Sequence, residues 1–585
     1  MRRLTTTIGL LSATVLTVAL VPSTIASTTA SWPDSEWVHG NVGTSSFDCG
    51  ADTGYATTSF GRFLSGELLG QNLDGVAALE GMTQSIDAGG AVTVTPPDAV
   101  DLGSVPPTST YANPLDVSVL SGIVGLDLTG LTVGLPLGSA GAVNQYSQVS
   151  GFGTAAGASG LVNNSGGVMV TPTTPPSDLP GPATIALSDL LPSVAGIADA
   201  QLQVGAVAAS STLDWCAALK SALWGDGSVT GVVRDYGVAG LGLQLDSPLL
   251  GTLVTDVNSG VPTIQSAVNS LLGTNGLIAQ TIRNNILGTL VSGLGLGTFT
   301  GNVSLSGLNL TGALGTLLTD PLSDGVVTID LGAGTIDVDL EGLLGTGPDG
   351  LNNLAPNTEL VLNAAVLDPI VTRVGDLLDA RLSEITNALT TAIENAVLTV
   401  DLTANVSVLS SALQIVKVHV ALTAPLSSLL SPPPGFQFTV DLDVLGLVSV
   451  LNIALGLLGT SVAAILSGLS GLATGLIVPV AGVVTSTAIA AVNTLGSTLA
   501  GVVTDLVDAL SLVVDALPNV LSVMVNVQPD QAGAPPGSSY TPATGSSSAQ
   551  YLVSALRIGL ADFLVPGDVA HVVFGTASAG PATGP

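Results

Sequence analysis

The feature that most constrains this chain is a long stretch without charge. Residues 444–504 contain no Asp, Glu, Lys, Arg or His. Within them lies the segment 456–484, GLLGTSVAAILSGLSGLATGLIVPVAGVV, which exceeds the roughly 20 apolar residues that a membrane helix needs. Such a stretch suits either a membrane anchor or a helical layer buried inside a water-exposed protein. The spacing of its large side chains distinguishes the two.

Large apolar residues recur three and four positions apart, which is typical of one buried helix face. They are Leu451, Leu455, Leu458, Val462, Ile465, Leu469, Leu472 and Leu476. The face resumes after Pro479 as Ile489, Val492, Leu499, Val502, Leu506, Leu510, Val513 and Leu517. Three aspartates, Asp505, Asp508 and Asp515, fall on other faces, and the nearest downstream base is Arg557, whereas stop-transfer helices carry Lys or Arg on the cytoplasmic side. We therefore predict a buried helical layer and no membrane span in the mature chain; the alternative is an anchor formed by residues 456–484.

The N-terminus has the layout of a secretory signal peptide. Arg2 and Arg3 precede an apolar stretch over residues 8–21, and small residues with usable cleavage positions at Ala26 and Ala30 follow. We predict five regions: a signal peptide over 1–30, a β-rich region over 31–247, mixed helices and hairpins over 248–528, a Pro/Gly/Ser-rich linker or loop over 529–550, and C-terminal strands over 551–585.

The charge excludes several classes of partner. The chain has 10 Lys and Arg against 42 Asp and Glu, a net charge of −32 over 585 residues. Such a chain repels nucleic acid and anionic lipid, so we predict no nucleic-acid partner. Only 9% of residues are charged and 46% are hydrophobic, which indicates a folded protein rather than a disordered one.

The two cysteines predict one disulfide, Cys49–Cys216, because an exported chain with an even pair of cysteines commonly joins them. Two free buried thiols are the alternative. Four tryptophans lie in the same two neighbourhoods, and we expect them to pack on the bridge: Trp32, Trp37, Trp215 and Trp224.

Alternating patterns predict strands through much of the chain. The clearest hairpin is VVTIDLGAGTIDVDL, residues 326–340, with a glycine-containing loop. Helical spacing predicts a long helix over 367–397, capped by Asp368 with Pro369 at its first position, and two shorter helices within 263–294, broken near residues 273–276. The fold class is therefore α+β, with antiparallel, sandwich-like β-sheets packed with long, small-residue-rich amphipathic helices.

Three stretches resemble the choice-of-anchor G family, a group of exported actinobacterial surface proteins. They are AVNQYSQVSGFGTAAGASGLVNNSGGV (142–168), VTIDLGAGTIDVDLEGL (327–343) and the ending YLVSALRIGL with HVVFGTASAGP. The resemblance implies a secreted or surface protein and supplies no catalytic residue. The ending FGTASAGPATGP departs from members that carry an LPXTG-type sorting signal.

The acidic residues Asp337, Asp339 and Glu341 are the candidates for a metal site or a catalytic site. Carboxylates alternating on one strand face, about 6.5–7 Å apart, could hold calcium or hydrolyse glycosides, or they could be the solvated face of an acidic hairpin. His419 alternates with Val418 and Val420, so we expect it on the surface of a strand in a structural role. We predict no catalytic residue and no cofactor, with calcium at this cluster as the alternative.

These observations predict an exported, non-enzymatic cell-surface or secreted protein with a structural or adhesive role. Its partner would be a cell-wall or extracellular polymer or a protein. The alternatives are a secreted glycan-active enzyme that uses the acidic strand residues and a surface protein attached to the membrane by residues 456–484.

Overall fold

The computed structural model describes residues 48–68, 71–73, 80–114, 133–134, 144–170, 182–188, 190–290, 294–344, 350–408, 413–444, 461–560 and 570–585. Within them, three antiparallel sheets and a layer of long helices belong to one unit, Asp48–Pro585. This is the α+β arrangement of antiparallel sheets and long helices that the sequence predicts.

The strands are β1 (Ala56–Leu68), β2 (Gln71–Asn72), β3 (Met82–Ile86), β4 (Val92–Thr95), β5 (Val100–Asp101), β6 (Thr108–Ala112), β7 (Val133–Gly134), β8 (Asn144–Ser150), β9 (Thr154–Gly160), β10 (Ala183–Ala186), β11 (Asp199–Asp214), β12 (Val232–Asp246), β13 (Leu294–Ser306), β14 (Leu322–Ser323), β15 (Val327–Asp330), β16 (Thr335–Asp339), β17 (Thr358–Glu359), β18 (Val397–Val408), β19 (Leu413–Pro425), β20 (Thr439–Val444), β21 (Leu521–Val527), β22 (Tyr551–Leu560) and β23 (Ala570–Thr583). The helices are α1 (Trp215–Trp224), α2 (Pro248–Ser270), α3 (Leu277–Thr289), α4 (Leu310–Leu314), α5 (Leu340–Leu344), α6 (Ala364–Asn395), α7 (Leu426–Leu430), α8 (Val462–Ser470), α9 (Leu472–Gly475), α10 (Ile477–Val484) and α11 (Ala490–Val520), with a π turn, Thr485–Ile489, joining the last two.

Two of the sheets pack face to face. The eight-stranded sheet has the order β17–β21–β22–β23–β1–β3–β4, with β2 on β1. The eleven-stranded sheet has the order β14–β15–β16–β12–β11–β9–β8–β6–β5, with β10 between β11 and β7. Strands β1 and β23 of the first lie against β8, β9 and β11 of the second. Because β1 pairs with β23 along most of its length, the first and last described strands of the chain are neighbours in one sheet.

Where β1 and β9 cross, the two sheets approach so closely that only glycine fits. A Cβ atom on Gly157 would lie 2.2 Å from the Phe60 carbonyl oxygen and 2.4 Å from that of Ser578. The hydroxyl groups of Ser59 and Ser147 hydrogen-bond across the same interface. Small residues at this crossing therefore have a packing role, since larger side chains would force the sheets apart.

Three long helices form a layer, and one of them, α11, continues the helices of the chargeless segment. The 31-residue helix α11 packs against α2, of 23 residues, and against α6, of 32 residues. At 1.5 Å per residue, α6 is about 48 Å long. It leads into β18 at its C-terminal end, whereas α11 leads directly into β21, so the helices connect the sandwich to the third sheet.

The first part of the predicted apolar face, the seam that ends at Leu476, is buried at every position that the structure describes. Val462, Ile465, Leu469, Leu472 and Leu476 are each less than 9% exposed. Leu451, Leu455 and Leu458 lie outside the described residues. Among the described residues one helical run, Ile477–Val520, is long and apolar enough to cross a membrane, judged by length and composition alone.

The continuation of the seam behaves as an amphipathic helix. Buried positions in α11 include Val492, Leu499, Leu506, Leu510, Val513 and Leu517, whereas Ile489 and Val502 are half-buried. Asp505, Asp508 and Asp515 are exposed, as the sequence predicts.

The third sheet, β13–β18–β19–β20, has one apolar and one polar face. The apolar face packs against α3, α7, α8 and α9. Thr300, Asn302, Asp401, Lys417 and Asp441 on the opposite face are exposed.

Several boundaries differ from their predictions. Helix α6 begins at Ala364 rather than near Asp368, because Asn363 caps it by accepting a hydrogen bond from the Val366 amide at 3.2 Å. Pro369 lies inside this helix. Helix α2 starts fifteen residues before the predicted segment at 263–294, because Ser247 caps it and Pro248 occupies its first position.

Candidate functional site

The cysteines are joined in a disulfide. Cys49 and Cys216 have a Cα–Cα distance of 5.6 Å, and the bridge spans 167 residues of sequence. Cys216 is fully buried in the first turn of α1, a helix capped by the Asp214 carboxylate, which accepts a hydrogen bond from the Ala217 amide at 2.9 Å. A formed disulfide indicates an oxidising environment.

The tryptophans do not all pack on this bridge. Trp215 is half-buried beside Cys216, but Trp224 is 60% exposed, so its predicted packing is wrong. Trp224 is the last residue of α1, whereas Cys216 lies in its first turn. Trp32 and Trp37 lie outside the described residues.

Asp337 and Asp339 line an open groove on the outer face of the eleven-stranded sheet, with a volume of about 470 Å³. Its floor is formed by β11 and β12, where Gly205, Gly240 and Gly242 expose the backbone. Gln203 and Thr328 add an amide and a hydroxyl to the lining.

Glu341 does not share the strand face predicted for the three carboxylates. Strand β16 ends at Asp339, and Glu341 lies in the following helix α5. Its carboxylate accepts a hydrogen bond from the Gly240 amide at 2.6 Å. Burial raises the pKa of Glu341 above its ordinary value, and the Gly240 hydrogen bond opposes that rise only in part.

The other two carboxylates are also hydrogen-bonded within the protein. Asp337 accepts from the Gln244 side-chain amide at 2.7 Å, and Asp339 accepts from the Gly342 amide at 3.0 Å, just before α5. In the part of the chain that the structure describes, no group of three or more His, Cys, Asp or Glu side chains is arranged to hold a metal ion. Calcium at Asp337, Asp339 and Glu341 therefore stays a prediction.

Two further carboxylates lie at the ends of β11 and β12, outside the lining of the groove. Asp199 and Asp246 face each other across β11 and β12. Burial raises the pKa of Asp246, and the nearby charges of Asp199 and Asp337 add to the rise. The groove itself is lined by the carboxylates of Asp337 and Asp339, so it suits ligands that donate hydrogen bonds or carry positive charge, and it repels anions.

A second polar site lies on the four-stranded sheet, where His419 is flanked by two aspartates. Its Nε2 is 3.0 Å from Asp401 Oδ1 on β18, and its Nδ1 is 3.6 Å from Asp441 Oδ2 on β20. Val418 and Val420 on either side are buried, which confirms the predicted phase of the strand.

The sequence alone does not connect His419 with Asp401 and Asp441, because the three residues meet only across neighbouring strands. Both ion-pair partners that the described part of the chain places at His419 are carboxylates. The residue fits the predicted structural role on an exposed surface. The sequence offers one signal, which is the alternating Asp residues in two predicted strands close to the strand that carries His419. The order of strands in a sheet, however, cannot be read from the sequence.

His571 does not join this site. His571 on β23 lines a small cavity of about 140 Å³ with Arg557, beneath residues 535–539. His39 lies outside the described residues.

The comparisons with known proteins identify a family without a described activity. The sequence model of a family described as a domain of unknown function, DUF8394, matches residues 59–580. No curated protein and no solved structure matches the chain.

Proposed function

Because this chain belongs to the family described as a domain of unknown function, DUF8394, membership supplies no activity, and we propose a function from the chain's own features. We propose that it is an exported, non-enzymatic protein of the cell surface or the medium, with a structural or adhesive role. The sequence resemblance to choice-of-anchor G proteins agrees with this proposal.

The observation that carries the proposal is the Cys49–Cys216 disulfide. Cytosolic thiols are kept reduced, whereas exported proteins keep such bridges. The bridge ties the chain just before β1 to α1, and β1 in turn pairs with the last described strand, β23, in one sheet of the sandwich. A predicted signal peptide over residues 1–30 would deliver the chain to the compartment where this bridge forms.

The architecture supports a structural or adhesive role. Helices α2, α6 and α11 join the sandwich to the four-stranded sheet, whose polar face carries hydroxyl, amide and carboxylate side chains. An exposed polar sheet face suits contact with an extracellular polymer or protein better than it suits a small substrate, which binds in a concave pocket.

Fractionation of cells that produce the protein tests the proposal. The protein should appear in the medium or in a surface fraction, with Cys49 and Cys216 resistant to alkylation until a reductant is added. Recovery only in detergent extracts that survive a carbonate wash would instead favour attachment through residues 456–484.

A glycan-active enzyme is the second candidate, and the groove beside Asp337 and Asp339 favours it. The groove has carboxylates and amides that hydrogen-bond well to sugar hydroxyls. This candidate predicts that Asp337→Asn abolishes turnover of a polysaccharide without changing the unfolding midpoint. The main proposal predicts no turnover by the wild-type protein on a broad polysaccharide panel.

A further inference from the structure

The segment between β21 and β22 presents a run of hydroxyl side chains to solvent. We propose that Ser539, Thr541, Thr544 and Ser546 are sites of O-linked glycosylation by neutral hexose. The inference rests on the proposed export of the chain, since the sugar would be added on the exported protein's surface.

Both ends of the segment are fixed to the sandwich. At the start, Arg234 on β12 binds Asp530 through two hydrogen bonds of 2.6 and 2.7 Å. At the end, Ser548 exchanges hydrogen bonds of 2.8 Å with the backbone of Ala582 on β23. Residues 536–546 between these two attachments are all exposed. Residues 536–539 lie over the cavity that His571 lines, and the Thr541 amide donates a hydrogen bond to the Gln550 side-chain oxygen at 3.2 Å, so the loop lies along the sandwich and is open to solvent.

The four hydroxyl groups are free to react. None of them makes a side-chain hydrogen bond with any described residue, whereas Ser538 in the same loop donates to the Pro535 carbonyl at 2.7 Å. Exposed threonines on the helices differ, because their hydroxyls donate to the carbonyl four residues earlier. Examples are Thr255, Thr494, Thr498 and Thr504, with distances of 2.8 to 3.1 Å.

The composition of the loop is that of O-glycosylated segments, which are rich in Ser and Thr with Pro. Pro535, Pro536 and Pro542 keep it out of helix and sheet. No charged residue occurs from 531 to 556 in a chain of net charge −32, so the loop itself carries no carboxylate that would repel an anionic glycosyl phosphate donor.

The reaction is a glycosyl transfer. A loop hydroxyl oxygen attacks the anomeric carbon of a glycosyl phosphate, and a glycosidic C–O bond forms. The bond from that carbon to the phosphate oxygen breaks, the phosphate leaves with the electron pair, and the hydroxyl proton passes to a base of the transferase. Neither oxidation nor reduction occurs.

Mass spectrometry of the full-length exported protein, purified from the organism that produces it, tests the inference. We expect the intact mass to exceed the sequence mass by whole hexose units, and fragmentation to place them on the loop. A variant with all four hydroxyl residues changed to Ala should lose every increment that fragmentation places on the loop. The matched control, Thr300→Ala with Thr439→Ala on the exposed face of the four-stranded sheet, should keep them.

The same spectra distinguish the two proposals. A chain that begins at Ser27 or Ser31 and has no mass increment would refute the modification alone. A chain that retains Met1 would refute export and the modification together. Increments that persist at the loop in the four-site variant, or that correspond to phosphate, would also overturn the inference, and the single variant Thr541→Ala serves if the four-site variant does not fold.

Discussion

Asp530→Asn removes one partner of a buried ion pair that fixes the loop between β21 and β22. Arg234 binds the Asp530 carboxylate in a two-bond fork, and the two side chains are only 9% and 11% exposed. The same guanidinium donates to the Leu552 carbonyl at 3.2 Å and lies 5.5 Å from the centre of the Tyr551 ring. Asparagine keeps the shape of the side chain but not its charge.

The expected loss of unfolding free energy is about 3 kcal/mol. Removing one partner of a buried pair costs roughly 3–5 kcal/mol, because the remaining charge stays desolvated. The loss should fall near the low end for two reasons: the amide oxygen of the introduced asparagine would still accept one hydrogen bond, and Arg234 keeps its contacts with Leu552 and Tyr551.

The loss should depend on pH in a defined direction. Burial acts to raise the pKa of Asp530, but hydrogen bonds from Arg234 and Gln531 outweigh it and hold this pKa below its ordinary value. Since the unfolded pKa is about 3.9, the stabilisation is fully present above that pH and is lost as pH falls through the lower folded value. The difference between wild type and variant should therefore shrink below about pH 4.

Urea unfolding followed by tryptophan fluorescence, at pH 7 and at acid pH, measures this difference. The matched control is Arg373→Gln, which removes the Arg373–Asp324 pair, whose side chains are 40% and 25% exposed. We expect it to cost less than about 1 kcal/mol. Equal losses for the two variants, or a loss for Asp530→Asn that does not change with pH, would refute the reasoning.

Three further predictions use the same unfolding assay. Gly157→Ala should lower the free energy of unfolding by at least about 2 kcal/mol, because the new Cβ atom meets the backbone of the facing sheet. Gly251→Ala in α2, where a Cβ atom would have no neighbour within 4 Å, should raise it by up to about 1 kcal/mol. Similar effects of the two substitutions would contradict the packing account. Cys216→Ser should lower stability by about 5 kcal/mol, since it opens a 167-residue loop, and an unchanged midpoint would contradict a formed bridge. Between pH 4 and pH 7, the free energy of unfolding of Glu341→Gln should rise relative to that of the wild type, because burial raises the pKa of Glu341 and penalises its ionised form. A difference between the two proteins that is constant with pH would contradict this.

Local patterns predicted much of the fold. The hairpin predicted at 326–340 forms as β15 and β16, and the strands predicted at the C-terminus form as β22 and β23. The seam from Val462 to Leu476 is buried because a spacing of three and four residues places one side of a helix against its neighbours.

The sequence could not predict which distant strands meet. The pairing of β1 with β23 and the crossing of the sheets at Gly157 depend on contacts between residues hundreds of positions apart. The same limit applies to His419, whose two aspartates come from neighbouring strands. The change from strand to helix at Leu340 was missed because alternation continues through Asp339 and Glu341, while the Asp339 side chain accepts a hydrogen bond from the Gly342 amide and begins α5.

The central claim is that the chain works outside the cytosol as a disulfide-bonded protein. The most direct test is the N-terminal sequence and thiol state of the protein recovered from each fraction of its producing cells. The account predicts a chain in the medium or surface fraction that begins at Ser27 or Ser31, with Cys49 and Cys216 linked. A cytosolic chain that begins at Met1 and has two alkylatable thiols would contradict it.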